Sequence, residues 1–231
     1  MAIQQNKTTK NKRTESVTPV SLEFVDFGCG NGRSLEFASS VVAGPGFGLD
    51  ISDDAVAACR AKGFAAERGN LLDFEQRNVA AAAFAINVVQ ELPGRTAFER
   101  GLTNMIQAAR NFVLVQHTYF DADPKLALAG RKIEANFHKK IQYKPMVADY
   151  ISFVERYKDA LRISGIGIFG SGQADVSPMA LNSTLFGVEA DEETPVYRSL
   201  RVIFGRKDAA RFRAALEKTG AGTALFVWER A

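Results

Sequence analysis

Short apolar runs alternate with amphipathic segments through the first half of the chain. Residues 79–89 form a nearly continuous apolar run, which is typical of a central strand covered on both faces. Residues 96–110 instead place Phe98, Leu102 and Ile106 at helical spacing. The predicted strands of this half are 22–27, 47–51, 64–68, 79–89 and 111–119, and the helices between them are 33–42, 55–62 and 96–110. This alternation predicts right-handed crossovers and a doubly wound, mostly parallel α/β sheet.

The second half of the chain has a looser pattern. Helices are predicted at 125–140 and 146–158, and 170–194 is predicted to be mostly loop because it is rich in glycine, serine and acidic residues. A strand is predicted at 161–169, just before that loop, although Gly165 and Gly167 weaken this prediction. The remaining predicted elements are strands at 196–204 and 223–228 and a helix at 208–218.

Composition and charge narrow the class of protein. The 231 residues are 46% apolar and 24% charged, which is ordinary for a globular domain. The formal net charge is +3, and much of it comes from polar residues 1–20, which are predicted to be a disordered tail. No stretch resembles a signal peptide or a membrane span, so a cytoplasmic protein without membrane contact is expected. Residues 21–231 are expected to form the domain, with 120–195 as an inserted region that covers the substrate.

Cysteine and histidine are scarce. Cys29 and Cys59 lie in different predicted elements and are too few for a disulfide framework, so reduced thiols are expected. With 2 histidines a multi-histidine metal site is not expected.

A glycine-rich turn follows the first predicted strand. The apolar run ends in Asp26, and glycines follow at alternate positions, Gly28, Gly30 and Gly32, directly before a predicted helix. Glycines let the backbone turn tightly and approach a ligand closely, and the helix that follows directs its free N–H groups at the same place. The pattern predicts a nucleotide-cofactor loop.

The spacing of the glycines separates two classes of cofactor. A dinucleotide fold requires Gly-x-Gly-x-x-Gly with an acidic residue about twenty positions further on. Here the third glycine comes one residue early, and Asp50 could hold a ribose in either class. The glycine spacing therefore disfavours a nicotinamide-dependent oxidoreductase, which stays as an alternative.

Residues 25–32, Val-Asp-Phe-Gly-Cys-Gly-Asn-Gly, resemble the first motif of the class I S-adenosylmethionine-dependent methyltransferases. Further similarity lies in Asp50 after the second strand, in Gly69-Asn70, and in the run from Asn87 to Leu92. The resemblance covers roughly residues 22–119. It implies a seven-stranded class I sheet with a helical insertion after strand five and S-adenosylmethionine as the cofactor.

The resemblance also implies roles for the matching residues. The glycine loop would pack against the methionine part of the cofactor, with Asp26 near its amino group. Asp50 would accept hydrogen bonds from both ribose hydroxyls, and Asn70 and Leu71 would flank the adenine. The implied cofactor-binding residues are Asp26, Gly28, Cys29, Gly30, Asn31, Gly32, Asp50, Ile51, Asn70, Leu71, Asn87 and Gln90. Each has a structural alternative: a tight turn for the glycines, a helix cap for Asp50, and backbone contacts for the amides.

His117 and Tyr119 lie at the end of the fifth predicted strand, where ligands gather in an open parallel sheet. We predict that His117 acts as a general base or substrate contact, because its ordinary pKa is near neutral pH. The alternative is a half-buried strand residue whose ring is satisfied by a neighbour. The cofactor cover is expected from 120–157, from 170–194 or from a second subunit of a homodimer.

The predicted function is methyl transfer from S-adenosylmethionine to oxygen or nitrogen of a small-molecule acceptor. Base-modifying enzymes usually carry Asn/Asp-Pro-Pro-Tyr after strand four, and this chain has Asn87-Val-Val-Gln90, which argues against a nucleic-acid substrate. A catalytically silent module with the same fold is a third alternative.

Overall fold

The computed structural model describes residues 22–128, 131–178, 196–207, 209–219 and 222–230. The predicted tail at 1–20 and most of the predicted loop at 170–194 lie outside the described residues. Among the helices that are described, we find none with the length and apolar character of a membrane span.

A twisted sheet forms the centre of the described structure. Its strands are β1 (Leu22–Phe27), β2 (Gly46–Asp50), β3 (Ala65–Arg68), β4 (Ala80–Ile86), β5 (Ala109–Thr118), β7 (Ile163–Gln173), β9 (Tyr197–Arg206) and β10 (Thr223–Glu229). Their spatial order is β10-β7-β9-β5-β4-β1-β2-β3. The five neighbouring strands β3, β2, β1, β4 and β5 pair in parallel. The pairs β5–β9, β9–β7 and β7–β10 are antiparallel.

The expected count of seven strands is therefore wrong, because the described part of this sheet has 8. The additional strand is β10, which pairs along the outer edge of β7 from Thr223 to Glu229. The doubly wound, mostly parallel α/β architecture of the first five strands is confirmed.

Helices cover both faces of the sheet. They are α1 (Arg33–Val41), α2 (Asp53–Ala61), α3 (Gly94–Ala108), α4 (Asp123–Leu128), α5 (Val147–Tyr157) and α6 (Ala209–Thr219). Successive strand residues point to opposite faces, so Val25 joins the core with α3 and α5, whereas Phe24 joins the core with α1, α2 and α6. This division is the doubly wound arrangement that the apolar pattern predicted.

The glycines that weakened the strand prediction at 161–169 have a packing role. A Cβ added to Gly165 would lie 2.3 Å from Cε1 of Phe212 on α6. The absence of a side chain lets α6 approach the sheet closely, and β7 extends to Gln173, beyond the predicted end.

The predicted helix at 125–140 is wrong beyond its first turn. Helix α4 ends at Leu128, and β6 (Arg131–Ile133) then pairs antiparallel with β8 (Val176–Pro178), followed by a 3-10 turn at Glu134–Phe137. The side chain of Asn136 donates to the carbonyl of Tyr119 at 2.6 Å, so a tertiary contact competes with the helical pattern. Strand β8 also lies in the segment predicted as loop, which was wrong at these positions.

Candidate functional site

A cleft of about 1000 Å³ opens at the carboxyl ends of β1, β2 and β4. This volume is at the upper end of the range for ligand sites, ~300–1,000 Å³. Its lining residues are Gly28, Gly30, Asn31, Leu49, Asp50, Ile51, Ser52, Asp54, Ala55, Ala58, Gly69, Asn70, Leu71, Asn87, Val88, Glu91, Leu92, Lys139, Lys140 and Gln142.

The glycine loop forms one wall of the cleft. The backbone of Gly28, Gly30 and Gly32 has φ of 72°, 52° and 88°, in the left-handed region that favours glycine. A Cβ on Gly28 would lie 2.3 Å from Cγ2 of Val88, so the backbone of β1 and the end of β4 meet without room for a methyl group. Helix α1 begins at Arg33, directly after the loop.

Asp50 joins this loop to the end of β2. Its Oδ2 accepts a hydrogen bond from the amide of Gly30 at 2.9 Å, and its Oδ1 accepts from the amide of Ser52 at 2.9 Å. Ser52 in turn caps α2 by accepting from the amide of Ala55. A carboxylate accepts several hydrogen bonds at once, so Asp50 can fix both segments and still face the cleft.

Asp26 lies beneath the loop and is fully buried. Ser34 donates to its Oδ2 at 2.5 Å, while its Oδ1 has no hydrogen-bond partner among the described residues. Burial raises the pKa of Asp26 to about 7, against the lowering effect of the Ser34 hydroxyl and with a further increase from the nearby Asp50 carboxylate.

The amide side chains of Asn70 and Asn87 also line the cleft. Oδ1 of Asn70 accepts from the amide of Leu72 at 3.0 Å and caps a short 3-10 turn. Asn87 has φ of 58° directly after β4 and lines the cleft. Gln90 is buried behind it, with its Nε2 at 3.5 Å from Oδ1 of Asn87 and its Oε1 without a partner among the described residues.

The cleft gathers eight of the residues predicted for the cofactor: Gly28, Gly30, Asn31, Asp50, Ile51, Asn70, Leu71 and Asn87. Asp26, Cys29, Gly32 and Gln90 lie behind its surface, and neither His117 nor Tyr119 is part of the lining. Contact with a cofactor stays a prediction for all of them.

Cys29 faces away from the cleft toward α2. Its Sγ lies 3.4 Å from Sγ of Cys59, and both thiols are buried and free. Burial and the neighbouring thiol raise the pKa of Cys29 well above its usual range. Such thiols are poor nucleophiles, and a packing role follows for this residue.

His117 is fully buried in the core beneath α5. Its Nδ1 lies 2.6 Å from the carbonyl of Thr118, which can only accept, so Nδ1 carries the proton. Its Nε2 then accepts from the hydroxyl of Tyr150 at 2.7 Å. Burial lowers the pKa of His117 to about 4, with the Thr118 carbonyl opposing the shift. These contacts favour the alternative of a ring satisfied by a neighbour, and the role of general base stays a prediction.

A pH series of unfolding experiments tests the neutral state of His117. Between about pH 6.5 and 4 the unfolded chain binds a proton at this histidine and the folded chain does not, so this histidine makes the fold less stable as the pH falls. We expect the stability advantage of wild type over His117→Gln to narrow by ~3 kcal/mol across this window. Urea denaturation from pH 7 to pH 4.5 measures most of it, with the exposed His138→Gln as control. An advantage that is constant or widens at low pH would contradict the buried neutral ring.

Tyr119, the other predicted catalytic residue, is also largely buried. Its ring packs edge-on against Tyr197 with centroids 5.2 Å apart. Burial, together with the charge of Asp121 and the neighbouring Tyr197, raises the pKa of Tyr119 to about 12. The described surroundings therefore keep this phenol protonated near neutral pH.

Comparison with known proteins places the chain in a family. The family model for the methionine biosynthesis protein MetW matches residues 12–144, which is more than half of the chain. The chain belongs to the MetW family. No match was found among curated proteins.

Solved structures share the fold of this MetW family member. A SAM-dependent methyltransferase from Archaeoglobus fulgidus is 12% identical with a TM-score of 0.58, covering 81% of this chain and 87% of that one. An S-adenosylmethionine-dependent methyltransferase from Mesorhizobium loti is 18% identical with a TM-score of 0.54, covering 80% and 91%. Magnesium protoporphyrin IX methyltransferase from Synechocystis, solved with bound SAH, is 15% identical with a TM-score of 0.53, covering 81% and 75%. The fold is that of the class I methyltransferases.

Several lining residues of this MetW family member were missed from the sequence. Asp54, Ala55 and Ala58 lie on the first turns of α2. The helical pattern that predicted this helix could have been used to find them. Glu91 belongs to the motif run after β4, where only Asn87 and Gln90 had been assigned roles. Those missed also include Leu49, Ser52, Gly69, Val88, Leu92, Lys139, Lys140 and Gln142. Lys139 and Lys140 follow His138 in a basic stretch of the sequence, and no local signal connects that stretch to the cleft.

Proposed function

We propose that this chain binds S-adenosylmethionine in the cleft and transfers its methyl group to a small-molecule acceptor. The observation that carries the proposal is that the glycine loop, Asp50, Asn70 and Leu71 all line one cleft, with the loop hydrogen-bonded to Asp50. The magnesium protoporphyrin IX methyltransferase of the same fold was solved with bound SAH, which supports this choice of ligand.

The residues of the cleft fit such a cofactor. Asp50 presents a carboxylate already oriented by two backbone amides, suited to a ribose diol. Ile51, which is 68% exposed, and Leu71 supply apolar surface for a purine ring. The Oδ1 atom of Asp26, beneath the loop, has no donor among the described residues, and an amino group of the cofactor could donate a hydrogen bond to it.

The chemistry of the reaction resides in the cofactor, and the chain supplies position and shelter. When bound, S-adenosylmethionine supplies an electrophilic methyl group on its sulfonium. The rigid turn at Gly28, Gly30 and Asp50 would hold the donor in one orientation, so that an acceptor can approach in line. The segment around Lys139, Lys140 and Gln142 lines the cleft and would limit the access of water once the ligands are bound.

A calorimetric titration tests the cofactor directly. We expect S-adenosylhomocysteine to bind the full-length protein with one-to-one stoichiometry and micromolar or tighter affinity, and NAD to give no saturable binding under the same conditions. Tight NAD binding without S-adenosylhomocysteine binding would favour the oxidoreductase and overturn the proposal. Methyl transfer from labelled S-adenosylmethionine to small-molecule acceptors then separates an enzyme from a silent module, which would bind the donor and transfer nothing.

A further inference from the structure

The segment from His138 to Lys144, here called the basic turn, brings two lysines to the cleft. Lys139 and Lys140 line the cleft and are exposed. They come from the region inserted after β5, and neither is among the residues predicted from the sequence to bind the cofactor.

Main-chain hydrogen bonds fix the basic turn in place. The amides of Gln142 and Tyr143 both donate to the carbonyl of Gln90, at 2.9 and 3.1 Å. The amide of Ile141 donates to the carbonyl of His138 at 2.9 Å, which closes the turn that carries the lysines. The lysines are thus held at the end of β4, where the cleft opens.

Side chains reinforce this anchorage. The ring of Tyr143 packs on Phe98 of α3 with centroids 5.2 Å apart. The ammonium of Lys144 lies 2.7 Å from the carboxylate of Asp123 and also 5.8 Å from the centroid of the Phe120 ring. Lys144 therefore already forms an ion pair within the protein, in contrast to the two lysines of the cleft.

Lys139 and Lys140 have no ion-pair partner in the described part of the chain. The carboxylate of Asp50 is engaged by two backbone amides, and those of Asp54 and Glu91 line the cleft without pairing with either lysine. The other charged lining residues, Asp50, Asp54 and Glu91, are acidic, so an anion that enters the cleft would be bound at the two lysines and repelled by the carboxylates. Lys139 and Lys140 are therefore placed to form ion pairs with a negatively charged group of a ligand.

We propose that the small-molecule acceptor is an anion, carrying a carboxylate or phosphate group that Lys139 and Lys140 bind. This inference rests on the proposed function. Lysine binds either group as a compact point charge with several donors, so the structure selects the charge and not the source of the oxygens. An anionic acceptor also complements the sulfonium cation of the donor in the same cleft.

Binding of small anions to the protein saturated with S-adenosylhomocysteine tests this proposal. Inorganic phosphate and succinate are titrated separately at low ionic strength, where screening is weak. We expect at least one of the two to bind wild type and to lose about tenfold in affinity in Lys139→Gln/Lys140→Gln, which corresponds to ~1.4 kcal/mol. Which probe responds distinguishes a phosphate from a carboxylate acceptor.

Two variants serve as controls for this experiment. Arg131→Gln/Arg198→Gln removes the same formal charge at exposed positions that do not line the cleft, and should bind the anion as wild type does. Lys139→Arg/Lys140→Arg keeps the charge and should retain most of the affinity. An anion that binds the glutamine variant as well as wild type, or no binding of either anion to wild type, would overturn the inference.

The same titrations keep the two proposals distinct. S-Adenosylhomocysteine that binds wild type but binds the glutamine variant much more weakly would assign the lysines to the donor. That result ends the anionic-acceptor proposal and leaves the cofactor proposal intact. Failure of S-adenosylhomocysteine to bind wild type at all would instead remove the proposed function.

Discussion

Asp50→Ala is expected to lower the affinity for S-adenosylhomocysteine by about 100-fold or more. The substitution removes the proposed acceptor for the ribose hydroxyls, and hydrogen bonds to a charged group contribute about 1.5–3 kcal/mol each. It also frees the amides of Gly30 and Ser52, which Asp50 now holds at 2.9 Å each. The loop and the start of α2 would then lose their common anchor.

Calorimetry of S-adenosylhomocysteine binding measures this effect, and Asp53→Ala is the matched control. Asp53 is three positions removed from the anchored carboxylate, carries the same charge and does not line the cleft. Its ion pair with Arg68 is 3.5 Å long and mostly exposed, so its loss should change affinity little. Equal affinities of Asp50→Ala and wild type would mean that Asp50 serves only the loop and not a ligand.

Gly28→Ala is expected to destabilise the fold by about 2–5 kcal/mol. The new methyl group would lie 2.3 Å from Cγ2 of Val88, so β1 and the end of β4 would have to separate. The left-handed backbone at φ of 72° adds strain for any residue with a Cβ.

Gly30→Ala separates these two causes. Its backbone is also left-handed, with φ of 52°, but no atom lies within 4 Å of the position of an added Cβ. We therefore expect a loss of only about 1–2 kcal/mol from backbone strain. Urea denaturation of both variants gives the comparison, and equal losses would contradict the steric role of Val88.

The first half of the fold could be predicted because its signals are local. Strand β1 has the predicted bounds of 22–27, since an apolar run followed by glycines determines where a strand ends. The resemblance assigned both the glycine loop and Asp50 to one cofactor, and the two lie together because the carboxyl ends of neighbouring parallel strands share an edge.

The second half could not be predicted in the same way because its contacts are long-range. Asn136 is bound to the carbonyl of Tyr119 and to Asp123, and no periodicity in the chain indicates either contact. The position of Lys139 and Lys140 likewise depends on hydrogen bonds to Gln90, about fifty residues earlier in the chain. The environment of His117 was hidden for the same reason, since its partner Tyr150 comes from a helix 33 residues away.

The basic turn is held by main-chain hydrogen bonds, which the amides of Gln142 and Tyr143 donate to the carbonyl of Gln90. Main-chain groups are present whichever amino acids occupy those positions, proline apart, so the loop keeps its place when its side chains are exchanged. Natural or laboratory selection could therefore replace the residues at 139 and 140 freely and retune which compounds are accepted. The donor half of the cleft would stay untouched, and new specificity would come without rebuilding the scaffold.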